Sequence, residues 1–190
     1  QTISGQGAGI TRLIQTNAEK DFGFTSHPDK KRVAAATVRI RHKGCSLRDM
    51  SIILDSSLPL NTIAGSAAIQ IAHIKHLPDG QPMIIETTGQ GIDYLLDHVD
   101  ISRVNVGENT GGGIQASHFF ELGIEILGSG GHVRIRQMDR LDAYVGIRLD
   151  NGNHCGQGEY NFEDIHMIGR HGVTDGGVFF DWVGGQAPLI

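Results

Sequence analysis

Two aspartates open the reading. Asp150 and Asp181 each stand three residues after the first apolar residue of a short motif: a small residue, an apolar residue, an outward residue, then another inward one. The motif reads GIRL at 146–149 and GVFF at 177–180. If the two copies stack, the carboxylates lie roughly 5 to 6 Å apart, given a strand spacing near 4.8 Å. Like charges that close raise one of the two pKa values. This is the spacing of a retaining glycosidase pair, one acid and one nucleophile. Asn151 and Trp182 come one place further on, and Trp182 is the chain's single tryptophan. An aromatic face beside carboxylates suits a sugar ring. With Arg148, the outward residue of GIRL, these two make the candidate substrate-binding set. The same aspartates would also suit a calcium ion between oxygen ligands, or merely cap turns through Asx hydrogen bonds. The neighbouring Asn151-Gly152 fits that last reading.

Stacking requires a repeat, and the chain has two. CSLRDMSI (45–52), VDISRVNV (99–106), VRIRQMDR (133–140) and YNFEDIHM (160–167) share the pattern apolar-x-apolar-x-x-apolar-x-(mostly apolar). Each reads as strand, two-residue corner, strand. The second motif follows each as AIQI (68–71), GIQA (113–116), GIRL and GVFF, at uneven intervals of roughly 30 to 45 residues. Ankyrin and leucine-rich arrays hold their repeat length nearly fixed, whereas stacked β-coils put extra length into outward loops. The expected fold is therefore all-β: a single-stranded parallel β-helix, a solenoid with uneven loops. An antiparallel sandwich would also give many short strands, but not a two-strand motif recurring in this way. Glycine, 27 of 190 residues, supplies the turns.

One domain spans 1–190, with 1–32 as an opening coil and loop and a further strand through 33–40. The ends, Gln1 and Pro188-Leu189-Ile190, read as interior positions of a longer chain. The stretch 92–99 is the one place for a short helical turn, and 55–67 and 78–91 are loop excursions. On the outer face the register sets Asp100 beside Arg134 and Arg136 beside Glu163, as cross-strand ion pairs. The Gly5-x-Gly7-x-Gly9 run lacks the residues of a nucleotide loop and makes a tight turn. Cys45 sits at an inward position. Cys45 and Cys155 form no CxxC, and the ten histidines are scattered, so no resident metal or cofactor is implied. The net charge of −5 argues against nucleic acid. No apolar run is long enough for a membrane helix.

ISGQGAGITRLI (3–14) resembles the opening coil of the pectate-lyase-like right-handed β-helix superfamily, and CSLRDMSIIL (45–54) resembles the coil that follows it. The resemblance implies the right hand. Among members, the irregular loops and the Met-less start look most like a phage tailspike or tail-fibre shaft. That implies a virion location and a homotrimer that binds, and in many cases cleaves, bacterial surface polysaccharide. A glycoside hydrolase or polysaccharide lyase is the enzyme class implied. The polygalacturonase motifs are not matched: His171-Gly172 is present without a preceding NTD. The alternatives are a secreted, monomeric carbohydrate-active enzyme of the same superfamily and a non-catalytic structural spacer.

Overall fold

The computed structural model describes residues 1–16, 24–25, 32–33, 36–40, 44–59, 63–72, 74–76, 82–84, 93–102, 104–105, 117–127, 131–150, 158–167 and 178–183. The chain runs as five passes. The first contains β1 (Thr2–Ser4), β2 (Arg12–Gln15), β3 (Phe24–Thr25), β4 (Arg32–Val33) and β5 (Ala36–Ile40). The second contains β6 (Cys45–Leu54), β7 (Ile63–Ala72), β8 (Ile74–His76) and β9 (Pro82–Ile84). The third contains β10 (Asp93–Ser102), β11 (Val104–Asn105) and β12 (Ser117–Leu127). The fourth is β13 (Gly131–Leu141) and β14 (Ala143–Asp150), and the fifth is β15 (Gly158–Met167) and β16 (Val178–Val183).

Each pass adds one layer to each of two parallel sheets. The first sheet runs β1-β6-β10-β13-β15, with β2 also on β6, and the second runs β5-β7-β12-β14-β16. The protein is thus all-β and parallel in both main sheets. β3–β4, β8–β9 and β11–β12 are short antiparallel pairs. The residues expected to hold a helical turn lie almost wholly in β10, a strand. Its Tyr94, Leu96, Val99 and Ile101 are buried in the core, and that burial outweighs any local helical preference.

The apolar pattern follows from one corner. Strict alternation would put Leu47 and Met50 on opposite faces. Between them Asp49 adopts a left-handed conformation, φ 55°, and both side chains are buried. His98 (51°), Gln137 (52°) and Asp164 (51°) repeat the turn in later passes. Each such residue costs about 1–2 kcal/mol, offset by the burial of a second inward residue. Inward residues then stack in columns. One is Ile3–Leu47–Leu96–Ile135–Phe162, and another is Leu13–Ile52–Ile101–Leu141–Met167. The second sheet contributes Val38–Ile69–Ile124–Ile147–Phe180. One apolar cluster draws on both sheets.

Two of the expected motif copies sit differently. Tyr94, not Val99, pairs with Cys45, so the third-pass copy is residues 94–101. Both 94–101 and 99–106 fit the apolar pattern, sharing Val99 and Ile101, and pairing selects the one with His98 at the corner. Ile124 pairs with both Ile69 and Ile147, so the second motif's third-pass copy is residues 123–126. The expected copy at 113–116 lies outside the described residues. Cys45 is half-buried and packs against the core.

The opening glycines turn a corner, as expected. The first pass rounds the Asp49 corner on an arc, with Gly5 N–H donating to the Arg48 carbonyl and Gly7 N–H to that of Asp49, both at 2.9 Å. A Cβ on Gly5 would lie 2.2 Å from the Asp49 carbonyl oxygen. Gly123 is equally confined: its Cβ would lie 2.6 Å from the Gly146 carbonyl oxygen and 2.7 Å from a Leu141 methyl. A Cβ on Gly9 would meet nothing within 4 Å. Gly123→Ala is therefore expected to cost about 1–3 kcal/mol, and Gly9→Ala under about 0.5 kcal/mol. Urea denaturation of both variants checks the contrast.

Candidate functional site

The outward residues form two polar rows. In the second sheet, Arg39, Gln70, Glu125, Arg148 and Asp181 occupy one register position in five successive strands. Their neighbours along each strand are core residues such as Ile69 and Ile71, so alternation turns the row away from the core. Arg39 Nε donates to Gln70 Oε1. Gln70 Nε2 donates to Glu125 Oε2 at 2.7 Å, and Arg148 Nε to Asp181 Oδ2 at 2.8 Å. The row is buried in the middle, Gln70 at 0% and Glu125 at 5% exposure. It opens at its end, where the Arg148 and Asp181 side chains are 31% and 33% exposed.

This register corrects the aspartate pairing. Asp150 pairs with Val183, and Asp181 pairs with Arg148. GVFF is displaced by two residues against GIRL, because Phe180 and not Val178 stands opposite Ile147. A two-residue slip keeps every residue on its own face, so alternation alone could not detect it. With that slip the Cα atoms of Asp150 and Asp181 lie about 8 Å apart. The carboxylate of Asp181 is hydrogen-bonded to a guanidinium instead of facing a second carboxylate. Trp182 stands opposite Leu149. Asn151 and His171 lie outside the described residues.

In the first sheet the outward row is Ser4, Arg48, Asp97, Arg136 and Glu163. The expected Arg136–Glu163 neighbours are there. The expected Asp100–Arg134 pair is not: Arg134 stands opposite Leu95, and Asp97 takes Arg136 as its partner. The cause is the same five-residue displacement of the third-pass motif. Asp97 is the centre of the row. It accepts from Arg136 Nε at 3.0 Å and Nη2 at 2.9 Å, a two-pronged contact. Arg48 Nη1 lies 3.7 Å away on the other side, and His98 Nδ1 at 3.3 Å. Sequence reasoning missed Asp97, although an acidic residue before the corner, between two arginines one pass away on either side, was a signal once the copy was placed correctly.

The Arg136 hydrogen bond, helped by the nearby charges, holds the Asp97 carboxyl below the usual carboxylate range despite its burial. Asp100, on the far side of the corner, goes the other way. Burial raises it, although the Arg140 backbone N–H donates to it at 3.1 Å. In the core, burial pushes the Tyr94 hydroxyl up to about 12, so it stays neutral. Among the described residues no cluster of three His, Cys, Asp or Glu side chains could hold a metal ion.

The chain matches no protein-family model, no curated protein and no solved structure.

A carboxyl with a lower pKa in the folded state adds stability above its unfolded value and loses it as pH falls through the folded value. Asp97→Asn is expected to cost about 1–2 kcal/mol at pH 7. Its deficit against the parent protein should shrink on acidification below the ordinary carboxylate range near pH 4. Asp100 has the opposite sign: its raised pKa penalises the fold at neutral pH, and acidification relieves the penalty. Denaturation midpoints of both Asn variants between pH 2.5 and about 7 separate the two aspartates.

Proposed function

We propose that the five passes form a right-handed, single-stranded parallel β-helix, and that it is a tailspike-type segment of a phage virion binding bacterial surface polysaccharide. The observation that carries the reading is the partly exposed Arg148–Asp181 pair at the open end of the second-sheet row. Sugar hydroxyls donate and accept at once. With Arg148 Nε committed to Asp181 Oδ2, the guanidinium and carboxylate together still offer up to four donors and three lone-pair sites in one fixed arrangement. Trp182, next to Asp181 in β16, and Asn151, just after β14, are the further binding residues of this reading. The resemblance of residues 3–14 and 45–54 supports the hand, and the uneven spacing of the motifs supports the tailspike setting and with it a homotrimer. Alternating delivery of strands to two parallel sheets supports the helix.

Cleavage would rest on Asp150 and Asp181.

The test is titration calorimetry of the chain against capsular polysaccharides and lipopolysaccharide O-chains. At least one glycan should bind, and Arg148→Ala should weaken it about tenfold. Failure to bind any of a broad panel would sink the reading. Reducing-end release by the parent protein, Asp150→Asn and Asp181→Asn shows whether binding leads to cleavage. Unchanged release in both variants would remove the aspartates from any such step.

A further inference from the structure

Arg48 and Arg136 hold equivalent places on either side of Asp97, one pass before it and one pass after. Only one of them is closed. Arg136 gives Asp97 two hydrogen bonds, from Nε at 3.0 Å and from Nη2 at 2.9 Å. Arg48 meets the same carboxylate through Nη1 at 3.7 Å, too long for a hydrogen bond. Its Nε is buried. Among the described residues it is the one buried side-chain nitrogen or oxygen without a hydrogen-bond partner. An N–H buried without a partner works against folding, so it calls for a reason. The side chain as a whole still reaches solvent, at 39% exposure.

Hydroxyls flank Arg48 on the same outer face. Ser4 stands opposite it in β1. Ser46 lies two residues back along β6, about 6.6 Å away. Thr2 stands opposite Ser46 and shares a hydrogen bond with it, Oγ1 to Oγ at 2.8 Å. Half-buried Leu95, on the other side of Ser46, adds an apolar neighbour. Past the corner, the Asp49 carboxylate accepts from Ser4 Oγ at 3.3 Å and has His98 Nδ1 at 3.9 Å.

We infer that Arg48 is the centre of a binding site for an oxyanion carried on a saccharide, a carboxylate or a phosphate, on the outer face of the first sheet. No hydrogen bond fixes the plane of its guanidinium, so turning it breaks none. The Nε–Nη2 edge, which Arg136 presents to Asp97, can then be presented to two oxygens of a ligand. Binding gives Nε the partner it lacks. It also matches a charge that Asp97, committed to Arg136, leaves without hydrogen bonds. The Ser46 and Thr2 hydroxyls beside it take hydroxyl groups of the sugar that carries the anion. A neutral sugar would leave the guanidinium unmatched. The saccharide rests on the glycan reading above, whereas the oxyanion rests on Arg48. Together they make that glycan acidic and give it a contact separate from the Arg148–Asp181 pair of the second sheet.

The experiment is a titration of the chain with glucuronate, glucose monophosphate and glucose, followed at the arginine Nε–H resonances in proton–nitrogen correlation spectra. Arg48→Lys identifies the Arg48 resonance by its loss. Glucuronate or glucose monophosphate should move that resonance saturably, and the tighter of the two tells carboxylate from phosphate. Glucose at the same concentration should not move it. Arg48→Met, read at the Ser46 backbone amide, should weaken binding about tenfold. Its thermal unfolding midpoint should stay at or above that of the parent protein, because an unmet donor has been removed. Arg134→Met removes a guanidinium from the same face two strands away, and binding should not change. An Arg48 resonance that neither anion moves overturns the inference. So does a response to glucose as large as to the anions, or an equal loss in Arg134→Met. If polysaccharides bind through Arg148 while both anions leave Arg48 unmoved, this inference alone falls. If no polysaccharide binds and the anions still engage Arg48, the oxyanion site stands and the glycan reading falls.

Discussion

Parallel pairing between successive passes is the constraint on which everything else depends. Within the two main sheets each residue is neighboured by its counterpart one pass earlier and one pass later. Inward positions become columns of like apolar residues, and outward positions become rows of hydrogen-bonding groups. A partner is fixed by register along the strand and not by closeness in sequence. Moving a strand by two residues leaves the core almost intact and exchanges every polar partner. The core therefore specifies which face a residue occupies, and the polar rows specify which residue it meets. The buried Gln70–Glu125 contact and the two-pronged Arg136–Asp97 contact show the second kind of selection. Each would leave a buried polar group without its partner if the register slipped.

This division explains what could be read from the sequence. The all-β class and the parallel stacking follow from apolar spacing alone, because the left-handed corner imposes a recognisable x-x interruption on the alternation. The corner-turning role of Gly5 to Gly9 was legible for the same reason. The pairing of the outward residues was not. Two overlapping segments satisfied the first pattern in the third pass, and the second motif survives a shift of two residues. Asp181 was rightly placed at an outward position of the last strand, but its neighbour was misassigned as Asp150 instead of Arg148. Asp97, the most heavily partnered acid of the first sheet, sat in the segment read as a helical turn. Hydrophobic spacing carries no information about which of two arginines an aspartate will meet.

The electrostatics follow the same geometry. In the first sheet opposite charges alternate from Arg48 to Glu163, so a side chain's environment is set mainly by residues about 30 to 50 positions away in the chain. Asp97 and Asp100 lie three residues apart in one strand, yet their acidities move in opposite directions. One faces guanidinium groups from the passes on either side. The other lies past the corner, shielded from water, with the neighbouring Asp139 carboxylate raising it further.

The arc at the first corner has a bearing on how such a chain can change length. Later passes turn this corner on a single left-handed residue, whereas the first takes residues 5 to 11 between β1 and β2 and still delivers both strands onto β6. The corner is thus a site of variable contour length between two fixed anchors. Segments can lengthen or shorten there without disturbing the columns on either side, since the anchors and not the intervening chain carry the pairing. Diversity in sequence and size can gather at this one edge while the interior keeps its spacing, giving the molecule an exposed seam along which new surface can be added.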